Sequence, residues 1–144
     1  MNKKIPFIIT GAVILLTLLY YKFNPLVPTV QFPQVKYTVE LAVTNEEKIQ
    51  GLSGRKNLPP AHGMLFLYDH KEQYPFWMND MYIPLDFIWF DGNKVVDVTQ
   101  NVSPEQSVPL PVITPIVPAD KVLEVNAGEA AKYQIKVGDA VVFR

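Results

Sequence analysis

The 144-residue sequence contains no cysteine. This absence excludes disulfides, thiolate metal ligands, a cysteine nucleophile and a lipidated cysteine, although it does not identify the cellular compartment. Charge is scarce as well, since Asp, Glu, Lys and Arg make up 19% of the chain and the net charge is −1. Nucleic-acid binding is not expected, because no excess of basic residues is available to neutralise phosphates.

Several signatures of catalysis and metal binding are also missing. His62 and His70 are the only histidines, and both lie in predicted loops without a zinc-type spacing. The chain has no Gly-x-Ser-x-Gly elbow, no glycine-rich phosphate loop and no carboxylate-dense calcium loop. We therefore expect no metal and no cofactor, and the sequence favours a protein without catalytic activity.

The N-terminus contains the one long apolar run. Residues 5–21 include no charged side chain, and as a helix they would span about 26 Å, enough for a short membrane crossing. Lys3 and Lys4 before the run outnumber Lys22 after it, which favours a cytoplasmic N-terminus. We predict that residues 1–22 form the transmembrane anchor of a single-pass cell-membrane protein with an extracytoplasmic domain. The alternative is a cleaved signal peptide and a secreted or periplasmic product.

The rest of the chain divides into a linker and one domain. Residues 23–34 contain three prolines and predict an extended spacer. Residues 35–144 are rich in short apolar runs separated by turn residues, which is typical of β-structure. We predict a mainly β fold at the α+β margin, either a small barrel-like domain or a two-layer antiparallel one.

Local patterns place the elements of this domain. Residues 35–43 alternate between apolar and polar side chains and predict a strand. Thr44 and Glu47 form a capping-box pattern, so a short helix should cover residues 46–51, and a second short helix is expected at residues 129–133. Asp91-Gly92 predicts a tight hairpin between two strands.

Several short motifs in the predicted domain resemble those of a known family. The segments that match are Gly63-Met64-Leu65-Phe66, Trp77-Met78, Pro84-Leu85-Asp86, Leu123-Glu124, Ala127-Gly128 and Gly138-Asp139. Together they resemble the bacterial and archaeal family called domain of unknown function 192, over residues 35–143. Ser53-Gly54 stands where the family usually has a bulky pair before the arginine. The resemblance implies a compact β-rich domain, often exported behind a signal or anchor, and it implies no established activity.

Two acidic residues stand alone in apolar strands. By alternation, Asp86 shares a strand face with Ile88 and Phe90, and a buried carboxylate there needs a partner. We favour a structural role in which Asp86 accepts hydrogen bonds from backbone amides or from Arg55, over a role in a pocket. Glu124 is most simply a solvent-facing strand residue. If the protein is an enzyme, Asp86 and Glu124 are the catalytic candidates, as the acid and base of a glycan hydrolase.

The binding candidates surround an aromatic turn that contains Tyr74, Phe76, Trp77 and Tyr82. A groove between this turn and the proline-rich residues 103–120 would bind a small molecule, a glycan or a protein through aromatic contacts. The predicted ligand-binding residues are Arg55, Trp77, Met78, Tyr82 and Asp86. The leading hypothesis is a non-catalytic binding or accessory module at the membrane surface, and the alternatives are an extracytoplasmic glycan hydrolase or a purely structural envelope protein. Ordinary core packing also explains the aromatic residues.

Overall fold

A computed structural model describes residues 13–17, 27–104 and 109–144. Seven strands in these ranges belong to one sheet: β1 (Thr29–Gln31), β2 (Lys36–Ala42), β3 (His62–Glu72), β4 (Leu85–Asp91), β5 (Lys94–Val102), β6 (Ala119–Asn126) and β7 (Val142–Phe143). Two short helices accompany them, α1 (Asn45–Gln50) and α2 (Glu129–Lys132), and residues 13–17 are also helical. The mainly β prediction is confirmed.

The sheet forms a half-barrel. Its strand order is β5-β4-β6-β3-β2-β1-β7. The segment before β7 returns to the opposite edge, where the backbone N–H of Val95 donates to Asp139 and that of Gly138 donates to Val95, both at 2.9 Å. The predicted antiparallel arrangement does not hold for one pair, since β2 and β3 are parallel. The chain makes a crossover through α1 between these two strands, as parallel pairing requires.

Alternation along the strands gives the sheet two buried faces. The inner face lies within the half-barrel and includes Val30, Tyr37, Val39, Leu65, Ile88, Phe90, Leu123 and Val125. The outer face includes Met64, Phe66, Leu85, Phe87, Trp89 and Val122, and it is covered by Leu52, Leu58, Phe76, Met78, Met81 and Ile113 from the connecting loops. Strands buried on both sides explain why β4 reads as an almost continuous apolar run.

Local signals in the sequence predicted the helix starts and the hairpin well. Helix α1 begins with the expected capping box, in which Thr44 Oγ1 accepts from the N–H of Glu47 at 3.2 Å and Glu47 Oε2 accepts from the N–H of Thr44 at 2.8 Å. Gly92 adopts φ +60° in the turn between β4 and β5. These elements depend on neighbouring residues only, which is why a single sequence indicates them.

The differences between the predicted and the observed strands arise where residues far apart in the sequence pair with each other. Strand β3 includes His62 and His70, which were predicted to lie in loops. It extends to Glu72, which pairs with Ala119 beyond an irregularity in the β3–β6 ladder. Leu41 and Val142 are apolar strand residues, yet they are 39% and 49% exposed. Val142 belongs to a two-residue strand at the edge of the sheet, where little covers it.

The predicted anchor lies outside the described residues, except for positions 13–17. Among the described residues, none of the helices has the length and apolar character needed to cross a membrane. The anchor therefore stays a prediction. Strand β1 falls within residues 23–34, so the folded domain begins before the predicted boundary at residue 35.

Candidate functional site

The two isolated acids lie on neighbouring strands but point to opposite faces of the sheet. In the antiparallel pair β4–β6, Asp86 is opposite Val125 and Phe87 is opposite Glu124. Because residues directly opposite each other share a face, Asp86 points into the half-barrel and Glu124 points to the outer face. The structure does not bring the two carboxyl groups into one cleft.

Asp86 is fully buried, and each of its carboxylate oxygens accepts a hydrogen bond. Its Oδ1 accepts from the backbone N–H of Asn101 at 2.8 Å, and its Oδ2 accepts from the N–H of Ala130 at 2.9 Å. Asn101 has φ +56° near the end of β5, and Ala130 lies in the first turn of α2. The carboxylate therefore fastens β4 to its hairpin partner β5 at an irregularity in their ladder and to helix α2, and the predicted bonding to backbone amides is confirmed.

The predicted pairing of Asp86 with Arg55 is wrong. Arg55 instead forms a two-pronged ion pair with Glu40 of β2, with Nη2 2.6 Å from Oε2. Arg55 follows α1 on the outer side of the sheet, so the sheet itself separates it from Asp86. Both side chains of this ion pair are partly exposed, at 34% and 57%.

Glu124 is buried rather than facing solvent, which corrects the sequence interpretation. Its residue exposure is 5%, and Oε2 has no hydrogen-bond partner in the described part of the chain. Burial raises the pKa of this carboxyl from an ordinary 4.5 to about 8, and the positive charge of Arg55 opposes the rise only in part. At neutral pH the side chain is mostly an uncharged acid.

Gly63 allows the strand of Glu124 to approach β3 closely. A Cβ atom at this position would lie 2.4 Å from the backbone oxygen of Glu124 and 2.9 Å from the side chain of Leu123. Both distances are far below normal contact, and the first involves backbone that has little freedom to shift. The glycine in the Gly63-Met64-Leu65-Phe66 run therefore helps to position the buried acid.

A cleft of about 290 Å³ lies over Glu124 on the outer face of the sheet. Helix α1 and the residues after it form one wall, β3 contributes the floor beside Glu124, and the turn at residues 75–81 forms the other wall. The lining residues are Asn45, Lys48, Ile49, Gln50, Gly51, Leu52, Ser53, Phe66, Tyr68, Pro75, Phe76, Trp77, Met81, Leu85 and Glu124.

Aromatic rings line the floor of the cleft and the wall formed by the turn, whereas the wall formed by α1 has none. Tyr68 stacks on Tyr74 with ring centroids 3.6 Å apart, and the ammonium of Lys48 lies 4.3 Å above the Tyr68 ring. Phe66 meets Phe76 edge to face at 5.0 Å. Burial raises the pKa of Tyr68, so its hydroxyl stays uncharged across the physiological range. The cleft thus presents aromatic surface, a cation on one wall and an uncharged acid at its floor.

The proline-rich loop is held against the same face. Asp97 Oδ2 accepts from the N–H of Ile116 at 2.7 Å, and Gln73 Nε2 donates to the carbonyl of Pro115 at 2.8 Å. Phe76 and Ile113 exchange two backbone hydrogen bonds of 2.8 Å. An adjoining cavity of about 390 Å³ is lined by Ile49, Trp77, Asn79, Leu110 and Val112. A groove is therefore present between the aromatic turn and the loop.

The predicted ligand-binding residues are dispersed. Trp77 is 45% exposed and lines the cleft, whereas Met78 is 4% exposed and belongs to the outer core. Tyr82 is exposed but lines neither of the two adjoining cavities. Asp86 and Arg55 are placed elsewhere, as described above.

Sequence reasoning missed Lys48, Phe66 and Tyr68, and it assigned Glu124 to catalysis or solvent. Alternation along β3 does place Met64, Phe66 and Tyr68 on one face. The pairing of Met64 with Glu124 across β3 and β6 then brings that face to the acid. The pairing joins residues 60 positions apart, so no local signal indicates it.

Comparisons with known proteins agree with the fold and give no activity. The model of the DUF192 family, described as "Uncharacterized ACR", matches residues 29–143. No curated protein matches the sequence.

Two solved structures are similar. One, from Sinorhizobium meliloti 1021 and described only as a candidate transcription regulator, is 28% identical with a TM-score of 0.72, covering 81% of this chain and 91% of its own. The other, a protein of unknown function from Novosphingobium aromaticivorans DSM 12444, is 33% identical with a TM-score of 0.72, covering 81% of this chain and 83% of its own.

Proposed function

The chain belongs to the DUF192 family of uncharacterised proteins, and we propose that its domain is a non-catalytic binding module. Its ligand site is the cleft over Glu124. Residues 5–21 hold it at a cell membrane with the cleft on the extracytoplasmic side.

One observation carries the proposal: Glu124 lines the floor of the cleft, and its buried carboxyl has an oxygen without a hydrogen-bond partner in the described residues. A buried polar group without a partner costs free energy in the folded state, typically about 1–3 kcal/mol. Such a cost is expected where a ligand supplies the missing partner, and a concave apolar site with a few polar groups is the usual form of a ligand pocket. The aromatic rings of β3 and of the turn at residues 75–81 supply apolar contact to the ligand.

The arrangement of the acids speaks against the glycan hydrolase alternative. Glycosidase carboxyl groups face one another across a single cleft, about 5–10 Å apart. Here Asp86 lies in the closed interior with both oxygens bonded to backbone amides, and Glu124 lies on the other face of the sheet. A carboxylate held by two amides inside the half-barrel has no access to a substrate in the cleft.

The membrane part of the proposal depends on residues 5–21 and the lysines around them. It is tested by adding protease to intact spheroplasts. Digestion of the domain is the expected result, because the lysine asymmetry places it outside the cytoplasm. Protection of the domain would reverse the orientation, and release of a product without residues 1–25 would show cleavage.

Binding in the cleft is tested with two uncharged single-ring probes, phenol and benzyl alcohol. The full chain and two variants are melted with increasing probe, followed by circular dichroism. Ile49→Trp narrows the cleft, since Ile49 lines it and is 67% exposed, so the substitution does not disturb the core. Ile116→Trp is the matched control, because Ile116 is 82% exposed and does not line the cleft.

Saturable stabilisation is expected for the parent and for Ile116→Trp, and not for Ile49→Trp. A probe at ten times its dissociation constant stabilises by roughly 1.4 kcal/mol. Equal responses of the two variants, or no response from the parent, would reject the cleft as a binding site.

A further inference from the structure

The surroundings of Glu124 define what its ligand must offer. The side chain lies between Met64 of β3 and Phe87 of β4, which are its partners across the two ladders. Phe66 and Leu85 line the floor of the cleft beside it. All four neighbours are apolar, so they provide no hydrogen bond to the carboxyl. Glu124 lines the cleft, and its Oε2 is buried without a hydrogen-bond partner in the described residues.

Among the described residues, the charged and titratable groups around the cleft do not neutralise Glu124. Arg55, from the loop after α1, is bound on both prongs by Glu40 of β2. Lys48 of α1 lies over the ring of Tyr68 on β3 rather than against the acid. An ionised carboxylate would therefore be desolvated without donors, which is strongly unfavourable. The side chain fits the floor as an acid with an O–H to donate.

We infer that the ligand is an uncharged, flat group with a carbonyl-type acceptor that receives a hydrogen bond from protonated Glu124. The inference rests on the proposed function and names the ligand class for the same cleft. Flatness follows from the aromatic rings of β3 and of the turn at residues 75–81, which favour stacked or edge-on rings. A carbonyl accepts without adding charge to an apolar floor, whereas an ammonium or a carboxylate would lose its hydration against that floor.

Three probes of one shape separate the possibilities: benzamide is neutral, benzamidinium is a cation and benzoate is an anion. Their binding to the full chain is measured by NMR titration between about pH 6 and pH 9. Benzamide should bind the parent best. Its affinity should fall roughly tenfold across this range, because burial sets the pKa of Glu124 at about 8 and each pH unit above that removes about nine-tenths of the acid form.

Two variants isolate the proton. Glu124→Gln keeps the shape and an N–H donor but does not titrate, so it should bind benzamide with an affinity that is constant over the same range. Glu124→Leu keeps the bulk without a donor and should bind benzamide roughly tenfold more weakly than the parent at about pH 6, the loss expected for one hydrogen bond. Circular dichroism at each pH confirms that the variants are folded.

The outcomes distinguish the inference from the proposed function. Tighter binding of benzamidinium that strengthens as the pH rises would overturn the inference, because the ligand would then need ionised Glu124, while leaving the cleft as the binding site. Preference for benzoate would overturn it in favour of an anion held by Lys48. Benzamide binding that ignores both pH and Glu124→Leu would also overturn it. If phenol or benzyl alcohol binds and is blocked by Ile49→Trp, the proposed function survives all three results.

Discussion

Asp86 and Glu124 are both buried acids in apolar strands, and their surroundings differ in one respect. Asp86 receives a backbone N–H on each oxygen inside the half-barrel, whereas Glu124 lines a cleft and has an oxygen without a partner in the part of the chain that the structure describes. Burial therefore does not by itself separate a structural acid from a binding acid. The two kinds of acid differ in whether their oxygens have hydrogen-bond partners. A buried carboxyl with partners stabilises the fold, and one without them destabilises it.

The largest expected effect is on the pH dependence of stability at Glu124. Its pKa is raised from 4.5 to about 8 by burial, so between these values the folded chain retains a proton that the unfolded chain releases. The free energy of unfolding of the parent should fall as the pH rises through this window, by on the order of 1 kcal/mol per pH unit. Glu124→Gln removes the titration and should exceed the parent in stability by several kcal/mol near pH 8.

Urea unfolding of both proteins at several pH values measures this difference. The two curves should converge below about pH 4.5, where both the folded and the unfolded parent hold the proton. A constant difference across the whole range would show that Glu124 is not the source of the pH dependence. A less stable Glu124→Gln would show that the parent side chain has a partner and belongs with Asp86.

Asp86→Asn should act in the opposite direction. The amide replaces one acceptor oxygen with an N–H group that faces a backbone N–H, so one charge-assisted hydrogen bond is lost and the other is weakened. The expected cost is about 3 kcal/mol, or on the order of 10 °C in Tm. Thermal unfolding of the parent and of Asp86→Asn measures this cost at a pH where both proteins are folded. Wild-type stability of Asp86→Asn would contradict the structural role.

These two residues also show how far the sequence could lead. The role of Asp86 follows from its strand face and from the rule that a buried carboxylate needs partners, so its bonding to backbone amides was predictable. The identity of those amides was not, because Asn101 reaches Asp86 through an irregularity in the β4–β5 ladder and Ala130 reaches it from helix α2. Arg55 was chosen as a partner on charge alone, and the sheet lies between the two.

Glu124 was harder for the same physical reason. Alternation assigns a strand residue to a face, but it does not say whether that face is covered. The outer face is covered here by loops around Leu52, Met81 and Ile113, which come from three separate parts of the chain. The strands, the capped helix and the hairpin were predictable from local patterns, whereas the cleft arises from the way these loops lie on the sheet.

A smaller effect is expected from Arg55, and it sharpens the assignment of partners. Arg55→Met breaks a partly exposed ion pair with Glu40 and should cost less than about 1 kcal/mol. Since Arg55 and Asp86 share no partner in the described residues, the costs of Arg55→Met and Asp86→Asn should add within about 0.5 kcal/mol. Combining Arg55→Met with Glu40→Gln provides the control, since that pair should be non-additive. Coupling between Arg55 and Asp86 in urea unfolding would restore the rejected pairing.

The smallest effect on stability is expected at Trp77, and the two tryptophans repeat the contrast between the two acids. Trp89 is fully buried and its Nε1 donates to Thr99 Oγ1 at 3.1 Å, whereas Trp77 is 45% exposed on the cleft wall. Trp77→Ala should change the free energy of unfolding by less than about 0.5 kcal/mol, as surface substitutions usually do. Trp89→Ala should cost about 3–5 kcal/mol, because it leaves a large core cavity.

Binding should show the reverse order. Trp77→Ala removes an aromatic face of the cleft and should weaken benzamide by the roughly 0.5–1.5 kcal/mol that an aromatic pair contributes, a factor of about 2 to 12 in the dissociation constant. Trp89 lies in the outer core rather than in the cleft wall. The conservative Trp89→Phe keeps that core folded and should leave the affinity unchanged. Paired NMR titration and urea unfolding of Trp77→Ala and Trp89→Phe measure both quantities. If Trp77→Ala loses stability and not affinity, the aromatic turn is a structural cover for the sheet and Glu124 lies beneath it without a ligand.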